Sequence, residues 1–382
     1  MTSPLARRFP GTATLPCAGI VTLPTPLEPL PALARELGVR TVWVKRDDLT
    51  SPVYGGNKVR KLEYLLGAAM AEKCRAVITF GAYGSNHCLA TAVHARALGL
   101  EPHVVLSPQE PGPFAPATLL AHAGLGTVIH PVGDWDGTAE GARLARELAA
   151  RDGVSPYVIP MGGSSPRGVV GYVNAAMEVA DQVRELNADI DAGDLSAYAR
   201  PDVVYVAAGT LGTAIGLAVG LAAIGAHTRV VALRVTPEGV ATDDIAEQLA
   251  DDTIALLSSL DSDFPALTFA DLCFELRHDW FEPGYGVVTP ETEEAVAIAT
   301  ASGITLETTY TGKAFAALVA DARAGRLSDC QVLFWDTYSS APMPVPGPID
   351  ALPDVLRAYI AECHRIYPAT AEPVAQIGRS AQ

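Results

Sequence analysis

Gly55-Gly56-Asn57-Lys58-Val59-Arg60-Lys61 follows a strand-like run, Thr41–Lys45, and an acidic turn, Arg46-Asp47-Asp48. A glycine pair ahead of a helix start leaves the backbone bare, so something flat can approach it there. Lys58 stands in the first turn of that helix. A lysine held in such a place is readily desolvated, which favours its neutral amine. A neutral amine condenses with an aldehyde to form a Schiff base. The ordinary fate of a lone lysine is a solvated surface. Two features argue otherwise: the glycine pair, for which a solvated helix start has no use, and Lys61, which shares the helical face and is placed to meet a phosphate.

Outward from this segment, strand-like and helix-like runs alternate. Thr41–Lys45, Ala76–Phe80, His103–Ser107, Asp202–Ala207, Arg229–Val235 and Gln331–Thr337 are rich in Val and Ile and mostly apolar on both faces, as buried parallel strands are. Helical periods lie between them, such as Leu62, Leu65, Leu66, Ala69 and Met70, and later Val296, Ile298 and Ala299. The alternation predicts an α/β fold of open, mostly parallel sheets flanked by helices. Residues 108–116 are proline-rich and read as a surface loop. Residues 185–201 are polar and acidic and read as a connector or insertion between two lobes. No repeat of solenoid period occurs, and residues 367–382, without periodicity, are expected to fray.

The chain has 382 residues, long for one domain and comfortable for two. Its 27 Lys and Arg against 43 Asp and Glu give a net charge of −16, and no basic run interrupts that balance. Such a surface argues against nucleic acid or an anionic membrane as partner. The six cysteines are scattered without a CxxC pair, which predicts free thiols in a reducing compartment. The eight histidines show no HxH or HExxH spacing, so no metal site is expected. No charged-then-apolar leader opens the chain, and Thr213–Ala226, its most apolar stretch, reads as a buried helix rather than a membrane span. A soluble, cytoplasmic protein is expected.

Three further segments carry candidate chemistry. Gly81-Ala82-Tyr83-Gly84-Ser85-Asn86-His87 follows one strand and opens the helix bearing Leu89, Val93 and Ala97. Ser85 reads as an ordinary N-cap, but the free N–H groups of the same helix start also suit a substrate carboxylate. Asn86 is a candidate donor to a cofactor ring oxygen, and His87 reads equally as a structural hydrogen-bonder or a proton carrier. Gly209-Thr210-Leu211-Gly212-Thr213 again joins strand to helix. It fits neither a P-loop nor GxGxxG, yet its consecutive N–H groups and two hydroxyls make a phosphate cup; the bland alternative is a tight turn. Tyr285, between glycines in Gly284-Tyr285-Gly286, and Tyr310, in Tyr310-Thr311-Gly312-Lys313, are candidates to face a cleft, although most tyrosines are core or rim residues. Thr311 reads alternatively as a helix cap. Ligands of open α/β sheets gather at strand carboxyl ends, where three of these segments fall. A lysine, a carboxylate cup, a phosphate cup and tyrosines are together the parts of a pyridoxal phosphate (PLP) site.

The segment around Lys58, Ser85-Asn86-His87, Gly162-Gly163-Ser164 with Gly171-Tyr172, Gly284-Tyr285-Gly286 and Tyr310-Thr311-Gly312-Lys313 resemble the D-cysteine desulfhydrase / 1-aminocyclopropane-1-carboxylate (ACC) deaminase family, from about residue 10 to 365. The resemblance implies the tryptophan-synthase-β fold (PLP fold type II), with a large PLP-binding domain of 1–66 plus 181–382 and a small α/β domain of 67–180. It implies PLP as cofactor, a small amino-acid substrate and a homodimer. By it, Lys58 carries the Schiff base, and Lys61 with Gly209, Thr210, Leu211, Gly212 and Thr213 holds the phosphate. Ser85, Asn86 and His87 form the substrate-carboxylate and ring-oxygen loop. Tyr285 and Tyr310 stand near the substrate as proton carriers or nucleophile helpers, and Thr311 is the partner of the pyridine nitrogen. The ACC deaminase branch has glutamate at that last position. A threonine hydroxyl cannot hold the ring's charge, which tilts the reading toward β-elimination over cyclopropane ring opening.

The sequence also departs from the family. Gly84 stands where Gln is usual before Ser-Asn, and the late strand ends Asp336-Thr337-Tyr338-Ser339-Ser340 instead of His-Thr-Gly-Gly. Tyr338 thereby becomes a candidate substrate contact. The reading is a PLP-dependent lyase or deaminase that yields a 2-oxo acid and ammonia. Its rivals are β-replacement, racemisation or ring opening on the same residues, and a non-catalytic PLP- or amino-acid-binding protein. A dinucleotide oxidoreductase is disfavoured because GxGxxG followed by an acidic residue is missing.

Overall fold

The computed structural model describes residues 2–133, 137–188 and 200–368. Most of the expected connector at 185–201 and of the expected fraying tail at 367–382 lies outside the described residues. The strands, in chain order, are β1 Leu27–Pro29, β2 Thr41–Arg46, β3 Ala76–Ala82, β4 Glu101–Ser107, β5 Val128–Pro131, β6 Tyr157–Ile159, β7 Val203–Ala208, β8 Arg229–Arg234, β9 Phe274–Arg277 and β10 Gln331–Asp336. All six expected strands are present, with ends shifted by one or two residues. The unexpected four (β1, β5, β6 and β9) are only three or four residues long, too short to show a period.

The chain divides into two compact units, Met1–Glu72 with Gly162–Ser340 and Lys73–Met161 with Ala341–Gln382. In the first, six strands run in the order β1-β2-β10-β7-β8-β9, parallel except for β1. The central strands β7 and β10 are buried at every residue, which is why they read as unbroken apolar runs. Each fully buried Val, Leu or Phe there contributes about 1.5–3 kcal/mol relative to exposure. On one face of this sheet the Pro166–Leu186 helix packs against the Gly212–Ala223 helix, Val169, Tyr172 and Val173 meeting Ile215 and Val219 in one apolar cluster. The approach demands a glycine: a Cβ on Gly216 would lie 2.4 Å from Tyr172 Cβ. The Thr311–Arg323 helix covers the opposite face through Phe315 and Leu318, with Phe315 and Phe334 edge to face at 5.0 Å.

The second unit holds a four-stranded parallel sheet, β5-β4-β3-β6. Its Ala115–Leu125 helix carries Leu119, which joins Val104, Leu106, Leu352, Leu356 and Ile360 in a single cluster. The division differs from the expected one of 1–66 plus 181–382 against 67–180, and burial gives the reason. Leu352, Leu356 and Ile360 bury their apolar stripe in the second unit, so 341–382 goes there, whereas Val169, Tyr172 and Val173 tie the Pro166–Leu186 helix to the first.

Candidate active site

In the first unit, β2 and β10 end side by side, Arg46 opposite Asp336, and β7 pairs with β10 on the other side. Three loops therefore leave one edge of the sheet together: Asp47–Asn57, Thr337–Ser340 and Gly209–Thr213. The glycine pair serves this meeting of chains. Gly56 has φ +89°, and a Cβ there would lie 2.7 Å from the Tyr338 carbonyl oxygen, while one on Gly55 would lie 2.2 Å from that of Asp48. The flat neighbour that the bare backbone admits is thus the protein's own chain. Asn57 N–H donates to Thr337 O at 3.2 Å, Gly55 N–H to Ser339 Oγ at 2.9 Å, and Ser340 Oγ to Asp48 Oδ2 at 2.5 Å.

Lys58 opens the Asn57–Ala71 helix and donates to Asn57 Oδ1 at 2.9 Å. Its residue surface is of intermediate exposure, but desolvation of the amine lowers its pKa to about 8, against an opposing pull from Glu307. Lys61 is buried, and its Nζ donates to Gly162 O at 3.0 Å and to Ser164 Oγ at 3.2 Å. Burial, and secondarily the charge of Lys58, hold it well below the usual lysine range. Ser164 Oγ in turn meets Thr210 Oγ1 at 2.7 Å and accepts from Gly212 N–H at 3.2 Å. Leu211, at φ +64°, turns the chain into the Gly212–Ala223 helix without any side-chain cap. A helix start that lacks a cap from its own N-cap side chain, and a lysine Nζ 3.0 Å from where a Gly212 Cβ would stand, suits an anion. Thr213 Oγ1 accepts from Asn57 Nδ2 at 2.9 Å, which ties this cup to the lysine helix.

On the same sheet's edge, Tyr310 and Tyr285 share a short hydrogen bond between their hydroxyls, with rings edge to face at 5.8 Å. Buried Lys313 holds the Tyr285 loop in place by donating to Phe281 O and Gly284 O, both at 2.9 Å. Thr311 is the first residue of its helix rather than a cap, and it is buried. Tyr338, beyond β10, has its phenol pushed up to about 12 by burial first, then by Glu307 and Asp336.

Ser85, Asn86 and His87 belong to the second unit. Ser85 caps the Asn86–Ala97 helix, its Oγ accepting from Cys88 N–H at 3.3 Å. Thr79 Oγ1 gives its proton to Ile159 O at 3.0 Å, so in its 2.8 Å contact with His87 Nε2 it is the histidine that donates. His87 is structural at that nitrogen. Gly84 N–H donates to Gln109 Oε1 at 2.9 Å.

Several residues of the site were not read from the sequence. Ser164 was visible only as the end of Gly162-Gly163-Ser164. Glu307 lies four positions before Thr311 and gave no signal except that spacing. Lys313 closes the motif Tyr310-Thr311-Gly312-Lys313 with nothing local to mark its contacts, and Arg60 sits between two lysines that carry the stronger signal. Among the described residues no cluster of three or more His, Cys, Asp or Glu is set to hold a metal ion, and all six cysteines are free thiols. No described helix is long and apolar enough to cross a membrane.

The cup and the desolvated amine meet the two demands that pyridoxal phosphate makes of a protein, a bed for its phosphate and an amine for its aldehyde. Residues 21–337 match the family of pyridoxal-phosphate dependent enzymes, and the chain belongs to that family. Among its relatives it stands with the D-cysteine desulfhydrases and ACC deaminases. It is 36% identical to the D-cysteine desulfhydrase of Salmonella paratyphi B, over 81% of this chain and 89% of the relative. It is 34% identical to a Pyrococcus furiosus protein provisionally named a 1-aminocyclopropane-1-carboxylate deaminase, over 87% and 93%. A solved ACC deaminase homologue, 32% identical, superposes with a TM-score of 0.73, covering 89% of this chain and 96% of that one.

Proposed function

We propose that this enzyme is a lyase of the D-cysteine desulfhydrase type, which removes the α-proton of a small amino acid and expels a β-substituent to leave a 2-oxo acid and ammonia. The observation that carries the reading is Lys58, an amine lowered to about 8 by desolvation, one helical turn from the buried Lys61. Pyridoxal phosphate, when bound, supplies the sink for the electrons released at the α-carbon.

Lys58 would be the amine that holds the cofactor, and as a free amine it is placed to take the proton from the α-carbon. An amine near 8 is about half free base at mildly alkaline pH, where an ordinary lysine is almost wholly protonated, as suits a general base. Lys61, Ser164 and Gly209–Thr213 hold the phosphate. By the family resemblance Thr311 would be the partner of the ring nitrogen and Asn86 a donor to the ring oxygen. The start of the Asn86–Ala97 helix, with Ser85 and His87, offers N–H groups suited to a substrate carboxylate. The hydrogen-bonded hydroxyls of Tyr285 and Tyr310 pass a proton to the departing group, and Tyr338 borders the substrate. Thr311, with no charge of its own, favours elimination over ring opening. We assign the enzyme to the cytoplasm and to a homodimer, the latter checked by light scattering on the eluting protein.

The test is an absorption spectrum of the purified protein before and after borohydride, followed by peptide mapping. A visible band fixed by borohydride onto Lys58, absent from Lys58→Ala, supports the assignment. A protein that stays colourless with added pyridoxal phosphate sinks it. D- and L-amino acids with β-leaving groups, assayed for ammonia and oxo acid with and without an added thiol, separate elimination from replacement.

A further inference from the structure

On the sheet face covered by the Thr311–Arg323 helix, the strand register sets Tyr205, Val231 and Glu275 in one row across β7, β8 and β9. Arg229 and Arg277 stand two residues from that row and so share its face. With Asp321 of the helix and Arg326 beyond it, these residues line a cavity of about 370 Å³, toward the low end of the range for small-ligand sites. Tyr205 lies four residues before the Gly209–Thr213 cup, about 13 Å along the strand direction, and Asp321 ten residues after Thr311, about 15 Å along the helix. The cavity is therefore separate from the candidate active site.

Its floor is polar where apolar residues would pack. Tyr205 is 1% exposed amid the valines and alanines of β7, and Asp321 is 3% exposed on a helix stretch where Leu318, Val319 and Ala322 are buried too. Asp321 Oδ2 accepts from Tyr205 Oη and, at 2.5 Å, from Arg277 Nη1; its Oδ1 accepts from Arg326 Nη2 and, at 3.0 Å, from Arg326 Nε. Its acceptor capacity is thereby filled. Buried ionic groups of this kind gain little over well-packed apolar residues, so stability does not explain them. Their effect is to fix two guanidinium groups on one carboxylate. Arg277 spends Nε and Nη2 on Asp279, which is outside the cavity lining, and Arg229 gives Nη1 to Glu275 at 3.2 Å. Among the described residues, Arg229 Nη2 and Arg326 Nη1 donate to nothing. Both side chains are half exposed or more, as the mouth of a site must be. Three arginines thus line one cavity against two carboxylates, in a chain whose net charge is −16.

We propose that this cavity is a second binding site, for a small metabolite that carries a carboxylate or a phosphate. Arg229 and Arg326 grip the anionic group with their unspent donors, and a planar guanidinium fork matches either oxyanion. Val231 and the Tyr205 ring, both buried, give the cavity its apolar wall, so the rest of the ligand is a short carbon skeleton.

The experiment is thermal melting and titration calorimetry of the holoenzyme with inorganic phosphate and with succinate, against sodium chloride at matched ionic strength. In the holoenzyme the cofactor already fills the phosphate cup. Wild type is expected to melt higher, in a saturable way, with one anion or both, and the tighter binder tells a phosphate site from a carboxylate site. Arg229→Gln, which gives up only the contact to Glu275, is expected to bind about tenfold more weakly, as is Arg326→Gln. Arg326→Gln also loosens the buried Asp321, so Arg229→Gln decides the matter where the other folds poorly. A wild-type melting point that follows ionic strength alone overturns the inference. So does an anion bound equally well by wild type and Arg229→Gln, since it then sits elsewhere. The comparison of variants reads this cavity whether or not the protein takes up pyridoxal phosphate, so this inference and the proposed function fail separately.

Discussion

Arg60 grips Asp47 with two hydrogen bonds, 2.8 Å from Nε and 2.7 Å from Nη2, at a place where neither side chain is more than 1% exposed. The same guanidinium reaches both oxygens of Glu178 at 3.0 Å, and Glu178 also takes Lys45 at 2.6 Å. Tyr172 Oη and Trp335 Nε1 donate to Asp47 Oδ2 at 2.7 and 2.8 Å. Arg60 and Lys45, working against the cost of burial, hold Glu178 down to about 2. This network fixes the helix two residues beyond Lys58. Arg60→Met leaves two buried carboxylates short of their main partner, and a loss of about 3–5 kcal/mol is expected. Urea denaturation of the apoprotein checks it; a loss below about 1 kcal/mol contradicts the account.

Lys58 gives a pH prediction with a definite sign. Its pKa is about 8 when folded against 10.5 ordinarily. Between those values the unfolded chain binds the proton and the folded one does not, so this group's contribution to stability rises with pH across the window. Lys58→Met has no such group. Its stability advantage over the wild-type apoprotein is expected to shrink from pH 8 toward pH 10, measured as paired urea midpoints. A constant difference would show that the amine is not desolvated.

Asp336 carries the opposite dependence. It is buried, its Oδ1 accepts from Tyr338 N–H at 3.1 Å, and its Oδ2 meets no hydrogen-bond partner among the described residues. Burial, and then the charge of Asp48, raise it well above the ordinary 3.8. The folded state keeps a proton that the unfolded chain gives up, so wild-type stability is eroded as pH climbs from about 4. Asp336→Asn removes the effect and is expected to gain on wild type between pH 4 and 7, read from melting temperatures of both proteins.

Lys313 holds the Tyr285 loop by two carbonyl oxygens. Lys313→Met removes both donors while keeping the aliphatic stem. Turnover is expected to fall about tenfold or more, because a misplaced proton donor is costly, with the cofactor band intact. Equal loss of band and turnover would place the lysine in cofactor binding instead.

The parallel sheets were legible because β7, β8 and β10 are runs of apolar residues bounded by turn-formers, a local signal. The desolvation of Lys58 had a local signal too, because glycines and a second lysine flank it in sequence. The Lys61–Ser164 contact spans 103 positions, and no local pattern announces a partner that distant. Glu307 stayed hidden for another reason: its carboxylate accepts from backbone N–H groups, which every sequence has. The unit boundaries are not legible where amphipathic helices choose their partners, since Leu352, Leu356 and Ile360 say that a face is buried but not against what.

The glycine pair at 55 and 56 presses bare backbone onto the carbonyl oxygens of Asp48 and Tyr338. Main chain leans on main chain, with no side chain between to absorb a change. A shift of the main chain at Tyr338 is therefore passed directly to Gly56, two residues before Lys58. The two loops, 47–57 and 337–340, form one mechanical unit, and a segment grafted into either would have to bring its partner along with it.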